Sequence, residues 1–377
     1  MIECDTAAVV VTLRDTPRLW HAVASVREQV DGVVVVVRND PSFTSTAWRD
    51  GVLHVGTGMN LGWAAGVHAG LTQVRSEYVW AIQDDLVMRP GAFGHLRKAL
   101  AEDAGLASVR PLPLGSHDII EAGQMGAVVD QDGAFHQPVP GVDTPAGDID
   151  GAHVGSYLPS SGQFIRRQAW DAVGGFDPWF YPWGYIDVDF GRSLAQAGWR
   201  FAHVPAARMH HSQGASSSHP FRVLLAQRNK ELFGAKWSAR DAASVNPAIV
   251  AAARTGACTP RPADLDSLRS VVGVAAADCT AFLASALGGM QARMDDLQDQ
   301  LTKAQADGRA VWEEKLTLLE HIDELQKGAA YLSEQAEAAT SERDGVIAHW
   351  EQISRSRAWT LVNRYWRVRQ RMRPGQH

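Results

Sequence analysis

A chain of 377 residues has room for two or three domains. With 45% hydrophobic and 21% charged residues it has the makeup of a folded globular protein, which excludes a disordered, collagen-like or low-complexity chain. The formal charge of −6 argues against a surface built throughout for nucleic acid, and it is unevenly spread: Gln352 to His377 holds seven arginines and no acid, leaving −13 on the rest. The three cysteines, Cys4, Cys258 and Cys279, have neither disulfide-framework nor zinc spacing and suit a reducing cytosol, and the opening MIECDTAAVVV lacks the marks of a signal peptide.

Along the first 235 residues short β-branched runs alternate with helical stretches, the pattern of an α/β domain with a largely parallel sheet. AAVVVTL (Ala7 to Leu13), GVVVVVR (Gly32 to Arg38) and YVWAIQ (Tyr78 to Gln83) read as buried strands, the first two separated by the helical PRLWHAVASVREQ. The third run ends directly in Asp84 and Asp85. In sheets of this kind the ligand crevice lies beyond the carboxyl ends of the strands, so polar residues there are placed to bind.

Three clusters carry possible chemistry. In NLGWAAGVHAGL, Gly62, Gly66 and Gly70 recur every four residues at a helix entry, either letting a backbone approach a phosphate or letting a helix pack closely on a sheet. In IQDDLVMRPGAF, the carboxylates of Asp84 and Asp85 can hold a hard divalent cation or simply form a solvated turn. The stretch from Gly162 to His211 holds Trp179, Phe180, Tyr181, Trp183 and Tyr185, then Asp187 and Asp189 at a helix start, then His210 and His211 after FAHVP. Aromatic faces suit sugar rings, a carboxylate at a helix start can act as a general base, and a histidine can join a metal site; for any one aromatic, a core role is the plain alternative.

The order of these segments, from NLGWAAGVHAGL through QDDLVMRPGA and FIRRQAWDAVGGFDPWFYPWGYIDVDFGRSLAQAGWRFAHVPAARMHH to QRNKELFGAKW, resembles the inverting family 2 glycosyltransferases, in particular the rhamnosyltransferase-like and galactofuranosyltransferase-like members. The resemblance covers about Ala7 to Trp237. It implies a GT-A fold, a nucleotide-diphosphate sugar donor, Mg2+ or Mn2+, and inverting transfer to a hydroxyl of a glycan or lipid-linked acceptor. Carried onto this chain, it implies donor contacts at Thr12, Arg38, Asn39, Asn60, Gly62, Gly66, Asp84 and Arg228, the last near the leaving diphosphate. It likewise implies metal contacts at Asp85 and His211, a catalytic base at Asp187, and acceptor contacts at Trp183, Tyr185 and Asp189, with helix capping as a second role for Asp189. Three positions depart from the family pattern: Arg38 stands where many relatives have aspartate, Gln83 where they have Asp or Asn, and Ile186 where they have Glu. Arg38 and Ile186 motivate an alternative reading, a catalytically degenerate GT-A scaffold that recruits partners.

Residues 238–265 read as a linker or short helical pair. From Leu283 to Trp350 a 4,3 spacing runs in one register, with 17 of 20 positions apolar, which predicts a coiled coil within residues 266–350 and a homo-oligomer; a helix folded back on the globular domain is the alternative. At about 1.5 Å per residue the rod would be on the order of 100 Å long. Val271 to Met290 is the one candidate membrane span, but it is Ala-rich and interrupted by Asp278. The basic aromatic tail, residues 351–377, suits an amphipathic helix on an anionic membrane, at up to about 1 kcal/mol per basic residue. A nucleic-acid contact or a solvated terminus fits the same composition. The expected location is the cytoplasm, peripherally on the inner face of the cell membrane.

Overall fold

The computed structural model describes residues 1–115, 120, 124–138, 155–211, 219–238, 242–255, 264–306 and 312–354. The chain forms two compact units, Met1–Phe282 and Leu283–His377.

The first unit is built on strands β1 (Ile2–Thr12), β2 (Gly32–Arg38), β3 (Thr46–Arg49), β4 (Val52–Gly56), β5 (Val74–Gln83), β6 (Leu86–Met88), β7 (Leu106–Leu114), β10 (Phe164–Arg166) and β11 (Arg200–His211). Together they make a nine-stranded sheet in the order β3-β4-β2-β1-β5-β10-β7-β11-β6. A separate hairpin pairs β8 (Ala127–Val129) with β9 (Phe135–Pro138). The pairs β1 with β2, β1 with β5, β2 with β4, and β7 with β11 are parallel. Strand β10 runs antiparallel between β5 and β7, and β3 and β6 close the two edges antiparallel. The valine runs of β1 and β2 are buried because helices cover both faces of the sheet, the setting that favours continuous apolar strands over alternating ones. This is the mainly parallel α/β architecture, followed by long C-terminal helices, that the sequence led us to expect.

Helices α1 (Pro17–Arg27), α2 (Gly62–Leu71), α3 (Ala92–Glu102), α4 (Arg167–Val173), α5 (Ile186–Gln196), α6 (His219–Ser238) and α7 (Pro247–Thr255) complete the α/β part. Thr16 caps α1 by accepting from the Leu19 N–H, with Pro17 at its first turn. Trp80, Phe93 and Phe164 lock α3 onto the sheet centre, with ring centroids 5.7–6.1 Å apart. Every residue of α2 is buried. The recurring glycines there serve packing: a Cβ on Gly66 or Gly70 would come within 2.7 Å or 2.6 Å of Val11 or Val9.

The helical region consists of α8 (Leu265–Ala306) and α9 (Trp312–Ser354), on either side of residues 307–311, which lie outside the described ones. In α8 the buried residues Leu268, Val272, Ala275, Cys279 and Phe282 recur at helical spacing within the first unit. The first unit therefore continues well past Trp237, where the sequence suggested that the α/β domain closes. Farther along, Met294, Leu297, Ile322 and Leu332 are buried, and all four belong to the expected heptad register. Among the described residues one helix, within Leu265–Lys303, contains an 18-residue window long and apolar enough to cross a membrane, with mean hydropathy 1.7 over that window. The expected amphipathic tail, 351–377, lies outside the described residues except for the end of α9 at Ser354.

Candidate active site

The parallel register sets the carboxyl ends of β1, β2 and β5 side by side. Thr12 pairs with Arg38 and Val11 with Gln83, and the Asn39 N–H donates to the Thr12 carbonyl at 2.8 Å. Thr12 Oγ1 lies 2.6 Å from Asp84 Oδ2. Burial raises the Asp84 carboxyl above its ordinary pKa; the Thr12 hydrogen bond opposes this and the Asp85 charge adds to it. Strand β6 then folds back along β11, pairing Leu86 with His211. This puts His211 Nε2 3.5 Å from Asp85 Oδ1, an oxygen that is buried and accepts no hydrogen bond. No group of three or more His, Cys, Asp or Glu suited to a metal occurs among the described residues. The donors present are one orphaned carboxylate oxygen and one imidazole, a set that fits a hard cation only if diphosphate and water oxygens complete its shell.

Because β10 runs against β5, the residues before it pass over the same end of the sheet. Gly162 N donates to Ala81 O at 2.7 Å, and a Cβ on Gly162 would meet Met209 of β11 at 2.8 Å. The backbone N–H of Ser160, two residues earlier, hydrogen-bonds the carboxylate of Asp187, which sits half-buried in the first turn of α5 and also accepts from Val188 N at 3.1 Å. Burial pushes Asp187 up to about 6, against the opposing pull of these backbone donors and of Arg110. Ser160, bonded to Asp187, and Gly162, bonded to Ala81 of β5, thus lie two residues apart on the segment that leads into β10.

Arg110 was not picked out from the sequence. It is wholly buried on β7, donating from Nε to Ser161 O at 2.7 Å and from Nη1 to Gln124 O at 2.6 Å, so it braces the segment that meets Asp187. Its only sequence signal is an arginine inside the otherwise apolar run LASVRPLPL. Arg18 was missed as well; its charge acts on Asp84.

The remaining expected donor residues are engaged within the chain. Both ends of the buried Asn39 amide are used, Nδ2 donating to Gly62 O at 2.9 Å and Oδ1 accepting from Leu61 N at 2.9 Å. Asn60 Oδ1 accepts from Gly62 N at 2.8 Å. Gly62 has φ +70, and an added Cβ would lie 2.9 Å from the Tyr181 ring, so this glycine admits the Tyr181–Pro182 segment against α2. Arg38 is held by Asp15 at 2.9 Å and lies over the Phe43 ring at 4.9 Å.

Two expected roles are corrected by the geometry. Arg228 is 0% exposed and forms a two-pronged ion pair with Asp278 of α8 at 3.0 and 2.7 Å, so its charge is already met inside the protein and does not face a diphosphate. Asp189 is 1% exposed and accepts from Lys236 Nζ at 2.9 Å and Trp237 Nε1 at 2.8 Å; it ties α5 to α6 and neither orients an acceptor nor caps the helix. Lys236 also donates to Asp177 Oδ2 at 2.8 Å. Burial works against its ammonium, but the two carboxylates outweigh that and raise its pKa. Of the aromatics assigned to the acceptor, Trp183 is exposed, whereas Tyr185 is buried with its hydroxyl donating to Gly133 O.

Replacing Lys236 by Met leaves two buried carboxylates without their cation. We expect a loss of about 3–5 kcal/mol in chemical denaturation at pH 7, shrinking as the pH is lowered and the carboxylates can be buried neutral. An equal loss at every pH would contradict this.

No family model and no curated protein matches the sequence. Among solved structures, GalNAc-T7 with UDP, GalNAc and Mn2+ is 13% identical with a TM-score of 0.46 over 71% of this chain, which spans 56% of that chain. The mannosyltransferase PcManGT from Pyrobaculum calidifontis, in complex with GDP-Man and Mn2+, is 15% identical with a TM-score of 0.42, covering 92% of this chain and 86% of its own. Residues 1–349 of S. aureus TarS are 10% identical with a TM-score of 0.40, covering 74% and 80%. Likeness this low bears on neither donor nor reaction.

Proposed function

We propose that the chain is an inverting glycosyltransferase, moving a sugar from a nucleotide-diphosphate donor to a hydroxyl of a glycan or lipid-linked acceptor. The observation that carries the reading is Asp187: a carboxylate in the first turn of α5, raised by burial to about 6 and hydrogen-bonded by the backbone N–H groups of Val188 and Ser160. A base of that pKa is ionised at neutral pH and still basic enough to draw a proton from a hydroxyl as it attacks. In this reaction Asp187 takes the acceptor proton, the acceptor oxygen bonds to the anomeric carbon, and the bond to the diphosphate breaks with its electron pair leaving on phosphate. One displacement from the face opposite the leaving group inverts the configuration.

Asp85 and His211 are the residues that would hold Mg2+ or Mn2+ against the diphosphate, and the cation would offset the charge that develops there. Asp84 lies at the same strand ends and would meet the donor, while Thr12, buried with its hydroxyl shared between Arg14 O and Asp84, acts through Asp84. Asn39, Asn60, Gly62 and Gly66 act at one remove, shaping the loop and helix that wall the crevice. Trp183, exposed ahead of α5, offers an aromatic face to an acceptor sugar. The arginine-rich residues 355–373 and the heptad register support a peripheral site on the cytoplasmic face of a membrane, in cell-envelope or polysaccharide synthesis, and a homo-oligomer.

The scaffold reading draws on Arg38, whose guanidinium is taken up by Asp15 at 2.9 Å, and on Ile186 beside the base. A thermal-shift panel of UDP-, dTDP- and GDP-sugars, with and without Mn2+, separates the readings. A metal-dependent rise with one nucleotide, followed by release of that nucleoside diphosphate, supports the enzyme. Binding without turnover on any acceptor or water supports the scaffold.

Asp187→Asn should lower turnover by about 10²–10⁴-fold while donor binding persists. It should also be the more stable protein at neutral pH. The folded-state carboxyl titrates at about 6 against 3.8 when unfolded, so between those values folding takes up protons and stability falls as pH rises. The neutral Asn escapes that loss, so its advantage in Tm should be full above pH 6 and vanish below pH 4. Asp85→Asn should weaken the Mn2+ dependence of donor binding in the same thermal-shift assay and leave the metal-free protein's Tm close to that of the parent. Donor binding with an unchanged Mn2+ requirement would remove Asp85 from the metal site.

A further inference from the structure

The segment Trp179 to Gly184 leads directly into α5 and Asp187, and each of its six main-chain carbonyls accepts a hydrogen bond from another element. Arg228 Nη1 donates to Trp179 O at 2.9 Å, and Asn229 Nδ2 is shared among Phe180 O, Trp183 O and Gly184 O at 3.2, 2.7 and 3.1 Å. Cys279 Sγ donates to Tyr181 O at 3.2 Å and Trp63 N to Pro182 O at 3.3 Å. The donors come from α6, α8 and α2. Arg228 makes its contact from a fully buried position, and Asp278 of α8 supplies the opposing carboxylate at 2.7 Å. The other oxygen of Asp278 accepts from Asn246 N at 2.7 Å. Asp278 is the residue that breaks the apolar stretch Val271 to Met290. A charge there is costly on a helix face that is otherwise packed with Val272, Ala275, Cys279 and Phe282, and its partner touches the segment that carries the base.

We propose that Asp278 is a positioning residue of the active site: through Arg228, and alongside Cys279, it fixes the carbonyls of Trp179 to Gly184 and thereby the setting of Asp187. The opening turns of α8 then belong to the catalytic machinery, although they lie beyond the α/β segment. The proposal rests on Asp187 being the base.

A buried ion pair that only stabilises the fold can be replaced by apolar side chains of similar size at little cost, which gives the discriminating variant, Arg228→Met with Asp278→Leu. The full-length protein is labelled with carboxyl-¹³C aspartate and titrated by NMR, the Asp187 resonance being assigned by its loss in Asp187→Asn. Positioning predicts that the double variant, which also leaves Trp179 O and Asn246 N without these partners, folds with a lowered Tm while the Asp187 midpoint falls by a unit or more, as the slackened segment lets water reach the carboxylate. An Asp187 midpoint equal to the parent's in a folded double variant overturns the proposal. Should the double variant fail to fold, Cys279→Ala removes one bond to Tyr181 O without disturbing a charge; a lowered midpoint supports positioning and an unmoved one overturns it. Release of nucleoside diphosphate from UDP-galactose, dTDP-rhamnose and GDP-mannose with Mn2+ is followed in parallel. If Asp187→Asn turns over as the parent does, the base assignment fails on its own. If Asp187→Asn is inactive while the NMR midpoint stays fixed in the double variant, only the positioning claim fails.

Discussion

A main chain that leaves regular structure inside a protein must find partners for its carbonyls, because each one buried without a donor costs on the order of 1–3 kcal/mol. The Trp179 to Gly184 segment meets that constraint with donors from α2, α6 and α8. Much of the site follows from this arrangement. Gly62 has no side chain because the Tyr181–Pro182 pair lies against it, and α2 starts where the Pro182 carbonyl can receive the Trp63 N–H. Arg228 and Asn229 are adjacent on α6 and divide four of the six carbonyls between them. Helix α2, helix α6 and the start of α8 are thereby fitted around one short stretch of backbone, which leads into Asp187.

The sheet sets out a second group of polar side chains. Parallel strands β2, β1 and β5 end in register, so side chains far apart in sequence, Thr12, Arg38 and Asp84, stand in a row. The antiparallel strands β10 and β6 then do what parallel connections do not. Strand β10 returns the chain over the end of β5, bringing Ser160 to Asp187, and β6 folds back along β11, bringing His211 to Asp85.

The strand runs at Ala7, Gly32 and Tyr78 and the helix after Asp15 were legible because period and composition are local properties. The heptad spacing is likewise a local property, and Met294, Leu297, Ile322 and Leu332 on it are buried. The roles of Asn39, Arg228 and Asp189 were not, because a polar residue at a strand end or on a helix looks the same in sequence whether it faces a ligand or a carbonyl. Only the fold shows that Asn39 bonds Gly62 and Leu61, Arg228 bonds Trp179 and Asp278, and Asp189 bonds Lys236 and Trp237. Asp278 is the sharpest case. In the sequence it is a blemish in an apolar stretch; in the fold it is the counter-ion of a buried arginine.

Partner inventories sort the buried carboxylates of this protein into two kinds. Asp177, Asp189 and Asp278 are each matched by a cation and further donors, the condition under which a low-dielectric interior tolerates charge, and their chemistry is thereby used up. Asp187 and Asp85 differ: one is hydrogen-bonded by backbone N–H groups, and the other has the imidazole of His211 at 3.5 Å from an oxygen that accepts no hydrogen bond. An unmatched carboxylate costs stability, and both stand just past an element boundary, Asp85 after β5 and Asp187 in the first turn of α5, where the reading proposed above uses them. By the same test His68 and His203, whose burial lowers them to about 4 and about 3 while each ring faces a backbone carbonyl, belong with the framework and not with the chemistry.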